Sequence, residues 1–151
     1  MKNYLIIIFL CVGLLTGCSN VKPYESSSPE NLYLKAKTDS DVKATVDIYT
    51  VDKACKLNYQ GTVNIENKLE KVGIPMNKPS YLVISFSKSS FWSGQSSSMS
   101  QEALIWTKKG YRYQMDLSYV EAIYDIELKR VHHKSGKSRV MDLEGIASCG
   151  K

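Results

Sequence analysis

The chain has 151 residues, 43% hydrophobic and 23% charged, with 20 Lys+Arg against 15 Asp+Glu for a formal charge of +5. That length supports one domain with a real core and is too short for two comfortable ones. The basic excess is mild: it is compatible with attraction to anionic lipid head groups or wall polymers, demands neither, and gives no ground for a nucleic-acid partner.

Lys2 places a positive charge before Tyr4 to Leu15, a run without any charged side chain, which is the layout of a secretory signal peptide. As a helix the run would span about 18 Å against a hydrocarbon core of roughly 30 Å, so it inserts without staying as a span. It ends in Leu15-Thr16-Gly17-Cys18, which resembles the lipobox of bacterial lipoproteins, where a small residue precedes a lipid-accepting cysteine. The resemblance covers this N-terminal signal alone, and no closer family is identified. It implies a diacylglyceryl thioether on Cys18, cleavage between Gly17 and Cys18, and acylation of the new amino group. These covalent chains are the only cofactor-like groups expected. A thiolate is the best nucleophile the chain offers to a lipid donor, and two or three acyl chains anchor stably where one does not. The alternatives are a conventional signal peptide with an incidental cysteine, or a short buried segment of a cytosolic protein. Ser19 resembles the lipoproteins exported to the outer membrane, facing the periplasm of a Gram-negative cell; with a single membrane, the same signal implies its outer face.

On that reading the 134 residues after position 17 keep 19 Lys+Arg, Lys2 being lost, against 15 Asp+Glu. Cys11 leaves with the signal and Cys18 is lipidated, so Cys55 and Cys149 remain as the two thiols. Export places them in an oxidising compartment, which predicts a Cys55–Cys149 disulfide. A loop of that length stabilises by roughly 4 to 5 kcal/mol in the chain-entropy model and pins a C-terminus that otherwise frays. Two unrelated buried thiols are the alternative.

Three segments follow: a signal peptide over residues 1–17, a lipidated N-terminus and tether over 18–30, and a β domain over 31–151. The tether, "SNVKPYESSSPE" from Ser19 to Glu30, has two prolines and a serine run, and extended it reaches about 40 Å. Beyond it the signal is period two. In Tyr111 to Tyr119, Tyr111, Tyr113, Met115, Leu117 and Tyr119 alternate with Arg112, Gln114, Asp116 and Ser118, which predicts a strand with one wet face. Tyr124, Ile126 and Leu128 alternate likewise with Asp125, Glu127 and Lys129. Further strands are predicted over Leu32–Lys37, Thr45–Val51, Gly61–Ile65, Leu69–Gly73, Tyr81–Ser87, Ala103–Thr107 and Arg139–Leu143, between turn signals at Pro75, Asn77, Pro79, Lys109-Gly110 and Ser135-Gly136. About 7 to 9 short strands predict an all-β fold, an antiparallel β-sandwich of immunoglobulin-like or transthyretin-like form, or a small barrel. Ser98-x-x-Gln101 resembles a helix capping box, so residues 98–106 are open to a helical turn as well as a strand.

Chemistry-bearing residues are few. Adjacent His132 and His133 point to opposite faces of a strand, so they do not share a metal without a bulge, and no third ligand stands at a recognisable spacing. Lys129, Arg130, Lys134, Lys137 and Arg139 surround them. They form either a solvated hairpin edge or a patch that touches lipid phosphates or another anionic polymer. Phe91 and Trp92 lie in the serine-rich stretch Ser87 to Ser100, either as a partner-binding loop or folded back onto the sandwich. Asp39-Ser40-Asp41 lacks the glycine and glutamate of a calcium loop and reads as a turn. There is no Gly-x-Ser-x-Gly nucleophile frame, phosphate-binding glycine loop, zinc-type cysteine pair or internal repeat. The expectation is a lipid-anchored envelope protein whose non-enzymatic sandwich binds or supports an envelope protein partner. The alternatives are a ligand-binding or enzyme-inhibiting lipoprotein, and a hydrolase built on scattered Ser, His and Asp.

Overall fold

The alternating stretches fold as strands in the computed structural model of the chain, which describes residues 21–26, 28–89 and 96–149. Among the described residues these are β1 (Leu32–Thr38), β2 (Val42–Val51), β3 (Leu57–Ile65), β4 (Leu69–Val72), β5 (Pro79–Ser89), β6 (Ser96–Trp106), β7 (Tyr111–Val120), β8 (Ile123–His132) and β9 (Ser138–Met141), followed by a 3-10 turn at Ile146–Ser148. Two sheets pack face to face, one ordered β4-β1-β7-β8-β9 and the other β3-β2-β5-β6. The all-β sandwich stands, with one departure from antiparallel pairing. β1 runs parallel to β7 from Leu32↔Tyr113 to Thr38↔Tyr119, an arrangement open to strands joined by a long crossover. Residues 98–106 are strand: β6 pairs with β5 from Pro79↔Trp106 to Ser89↔Ser96, and ladder bonds along that length outweigh an isolated helical turn.

Every second residue of the central strands turns inward. Leu32, Leu34, Tyr113 and Met115 from one sheet meet Val46, Ile48, Leu82 and Ile84 from the other, all without solvent exposure. The Tyr113 hydroxyl donates to the Trp106 carbonyl and accepts from the Lys108 N–H, both at 3.0 Å, so its burial leaves no polar group unmatched. Asn31 is buried too. Its Nδ2 donates to the Ile74 carbonyl at 2.8 Å and its Oδ1 accepts the Ile74 N–H at 2.9 Å, serving a backbone segment outside any ladder.

Much of the expected tether is bonded to the sandwich. Pro23 bridges Thr62 in parallel, the Thr62 N–H donates to the Lys22 carbonyl at 2.9 Å, and the Tyr24 N–H donates to the Thr62 carbonyl at 3.0 Å. The Tyr24 hydroxyl donates to the Gly73 carbonyl at 2.7 Å, while the Gly73 N–H donates to Ser26 Oγ at 2.8 Å. Glycine is required where this strap crosses: a Cβ on Gly73 would meet the Ser28 carbonyl oxygen at 1.8 Å, and one on Gly61 the Tyr24 backbone at 2.6 Å. Edge strand β3 is thereby covered.

The C-terminal segment covers the opposite edge of the same sheet. The Leu104 N–H of β6 donates to the Glu144 carbonyl at 2.6 Å, and Ile146 and Cys149 pack on Val51, Tyr81 and Leu104. There the predicted Cys55–Cys149 disulfide forms, with Cα atoms 6.0 Å apart and the two cysteines 94 positions apart in sequence. Burial, and then a hydrogen bond to Glu102, pushes the Tyr81 phenol up to about 12.

Odd-numbered strands run one way and even-numbered strands the other. The β2–β3, β4–β5, β6–β7 and β8–β9 connections therefore gather at one end, here the basal end, and the β1–β2, β3–β4 and β7–β8 connections at the apical end.

Candidate functional site

The β8–β9 hairpin closes tightly at the basal end. The His132 N–H donates to the Lys137 carbonyl and the Gly136 N–H to the His132 carbonyl, both at 2.9 Å. The His133 N–H donates to the Gly110 carbonyl at 2.9 Å, tying this turn to the β6–β7 turn. Register then decides which side chains share a face. Tyr111 stands opposite His132, Tyr113 opposite Arg130, and Arg130 opposite Arg139. These positions belong to the inward face, and at its basal margin, where Tyr111 still packs against the core, they line a concavity of about 360 Å³.

Tyr111 is the platform of this concavity. The Arg130 guanidinium lies 4.8 Å from the centre of its ring, a cation–π contact, and the His132 ring meets it edge-on at 5.0 Å. The Ser135 N–H donates to His132 Nδ1 at 3.2 Å. Lys137 and Arg139 complete the wall with Ser138. No carboxylate lines it, and Arg130, Lys137 and Arg139 make no ion pair among the described residues. Two arginines directly opposite each other repel. Two guanidinium forks and an ammonium around one space suit an oxyanion with several acceptor oxygens.

The structure brings together three of the five cations predicted for an anionic-surface patch. Lys129 lies on the outer face, paired with Glu127 and 3.8 Å from Asp116; the Glu127 carboxylate holds its ammonium above the usual lysine range. Lys134 occupies the turn without lining the concavity. Gly17 and Cys18, and Phe91 and Trp92, lie outside the described residues. His132 and His133 diverge, one onto Tyr111 and the other into the turn, and among the described residues no three His, Cys, Asp or Glu are grouped to hold a metal ion. Asp39 and Asp41 act in a turn: Asp39 accepts the Glu121 N–H at 3.0 Å, and Asp41 pairs with Lys88 at 3.1 Å.

A larger recess of about 460 Å³ lies at the apical end, lined in part by Asp39, Lys43, Glu66 and Asn67. Its charges are of both signs, and Asn67 Oδ1 already accepts the Thr38 N–H at 3.1 Å. Size favours that recess, but convergent chemistry favours the hairpin. Tyr111 was legible only as an inward strand residue; its role depends on the register that sets it against His132.

No family model matches the chain, and no curated protein matches it in sequence.

Proposed function

We propose that this is a lipid-anchored cell-envelope protein whose sandwich is a non-enzymatic binding module, with the basic concavity of the β8–β9 hairpin as its recognition surface. The observation that carries the envelope reading is the Cys55–Cys149 bond. Disulfides persist in oxidising compartments, and the Leu15-Thr16-Gly17-Cys18 signal leads there. The anchor is a diacylglyceryl thioether with an N-acyl chain on Cys18. Ser19 points to the outer membrane, periplasm-facing, in a Gram-negative cell and to the cell-surface membrane in others.

The concavity favours an anionic ligand over catalysis. His132 has Tyr111 and Ser135 as neighbours and three cations around it, with no carboxylate to orient it as a general base. The Ser135 hydroxyl sits 3.1 Å from Nδ1 of the same residue, within the hairpin's own hydrogen bonds. Phe91 and Trp92 remain the surface to test for an envelope protein partner.

Cys18→Ser is the direct test of the anchor. The expected product keeps residues 1–17 and lacks acyl chains by mass spectrometry. A product that still matures before residue 18 and still fractionates with membranes would overturn the lipoprotein reading.

A further inference from the structure

We infer that the basal end of the sandwich is a docking surface for the anionic head groups of a lipid bilayer, met end-on, with lysines of its turns on lipid phosphates and Trp106 at head-group depth. The β2–β3 connection brings Lys53 and Lys56, β6–β7 brings Lys108 and Lys109, and β8–β9 brings Lys134 and Lys137 beside the concavity; all are exposed. Lys78 joins them from β4–β5. The acid of these connections, Asp52, spends one carboxylate oxygen on the N–H groups of Ala54 and Lys56, each at 2.9 Å. Apical connections have the opposite sign, with Asp39, Asp41, Glu66 and Glu121 against Lys68. Among the described residues, the charge of the connections is thus sorted along the strand axis. Near an anionic bilayer each basal cation adds to the attraction within about a Debye length.

Two further observations point to lipid and away from a soluble anion. Trp106 and Met76 stand exposed among the basal lysines, at 50% and 41%, and an indole with an apolar ring and a polar N–H favours the membrane–water interface. Ile123 and Tyr124 are exposed as well, but at the apical end beside Glu121. The strap also gives a direction. Around Pro23 it runs parallel to β3, so Val21 and Lys22 lie on the basal side of Pro23. Even fully extended, Cys18 to Val21 spans only about 14 Å. Which bilayer is met rests on the lipid-anchor reading; the attraction itself does not.

The test uses the full chain carrying Trp92→Phe, so that Trp106 is the only indole. Its emission is titrated with phosphatidylcholine vesicles and with vesicles containing phosphatidylglycerol. At about 50 mM salt a blue shift is expected on the anionic vesicles alone, reversed at about 500 mM, where the Debye length is a few ångströms. Lys108→Gln/Lys109→Gln/Lys134→Gln is expected to weaken that response by about tenfold or more, each cation contributing additively near the surface. Lys35→Gln/Lys37→Gln/Lys43→Gln removes the same charge away from the basal end and is expected to leave it unchanged. Equal losses in the two triple variants, or equal responses to the two vesicle types, would overturn the docking surface. So would inorganic phosphate matching the anionic vesicles, which would leave a small-anion site. Failure of the anchor reading shows separately, as a membrane-extracted protein without acyl mass.

Discussion

Arg130 and Arg139 face each other across β8 and β9 with no carboxylate between them, a pairing that a sequence selected for stability alone would replace. Arg139→Gln is expected to raise stability by about 0.2–1 kcal/mol, read as a higher urea midpoint. It should also reduce the added stability that inorganic phosphate gives the parent protein, because a ligand that binds only the folded state raises its stability. A lower midpoint with the phosphate response intact would make Arg139 a structural residue. Chain order alone could not show this pair, since the two residues meet only once the turn length is fixed. Asn31 was hidden for another reason. Asparagine after a proline and glutamate reads as loop, and its service to Ile74 joins residues 43 apart.

The strands were legible because one wet face leaves a period-two record, clearest in β7 and β8; each of the nine overlaps a predicted stretch, but β3 starts four residues earlier and β6 seven residues earlier than predicted, β6 in a stretch the sequence left open to a helical turn. Longer β2, β3 and β6 extend into polar residues such as Asn58 and Ser96–Ser98, where pairing with a neighbour continues though burial has ended. What alternation does not encode is partner choice, so the parallel β1–β7 pair and the strap on β3 emerged only from the structure. The β7–β8 turn was hidden by its residues. Glu121 and Ala122 both have positive φ, 53° and 63°, as a two-residue type I′ hairpin turn demands, yet neither is the usual Asn or Gly. Holding a non-glycine residue there costs about 1–2 kcal/mol. Glu121→Asn/Ala122→Gly is therefore expected to stabilise the protein by about 1–2 kcal/mol, measured by urea denaturation. No gain would mean that the Asp39 bond to the Glu121 N–H already offsets the strain.

The described fold is tied at both of its ends, by the strap and by the disulfide. Cys55→Ser/Cys149→Ser is expected to lower stability by up to about 4–5 kcal/mol, and reductant should destabilise the parent but not the variant. If reductant leaves the parent's urea midpoint unchanged, the bond contributes little. The sorting of charge between basal and apical ends was invisible in composition. It appears only when strand parity assigns each turn to an end, since lysines and acids alternate along the chain from one connection to the next.

The strap also decides how the domain bears load. Chain direction at Pro23 matches β3, and β1 matches β7. A pull on Val21 away from the body therefore strains the Lys22 and Tyr24 backbone bonds together, in shear, and passes any remainder to β1 in the same mode. Peeling, in which bonds fail one after another, is denied to a force entering from that side. A body held by its leading segment in a moving envelope would resist tearing along the line on which tension reaches it.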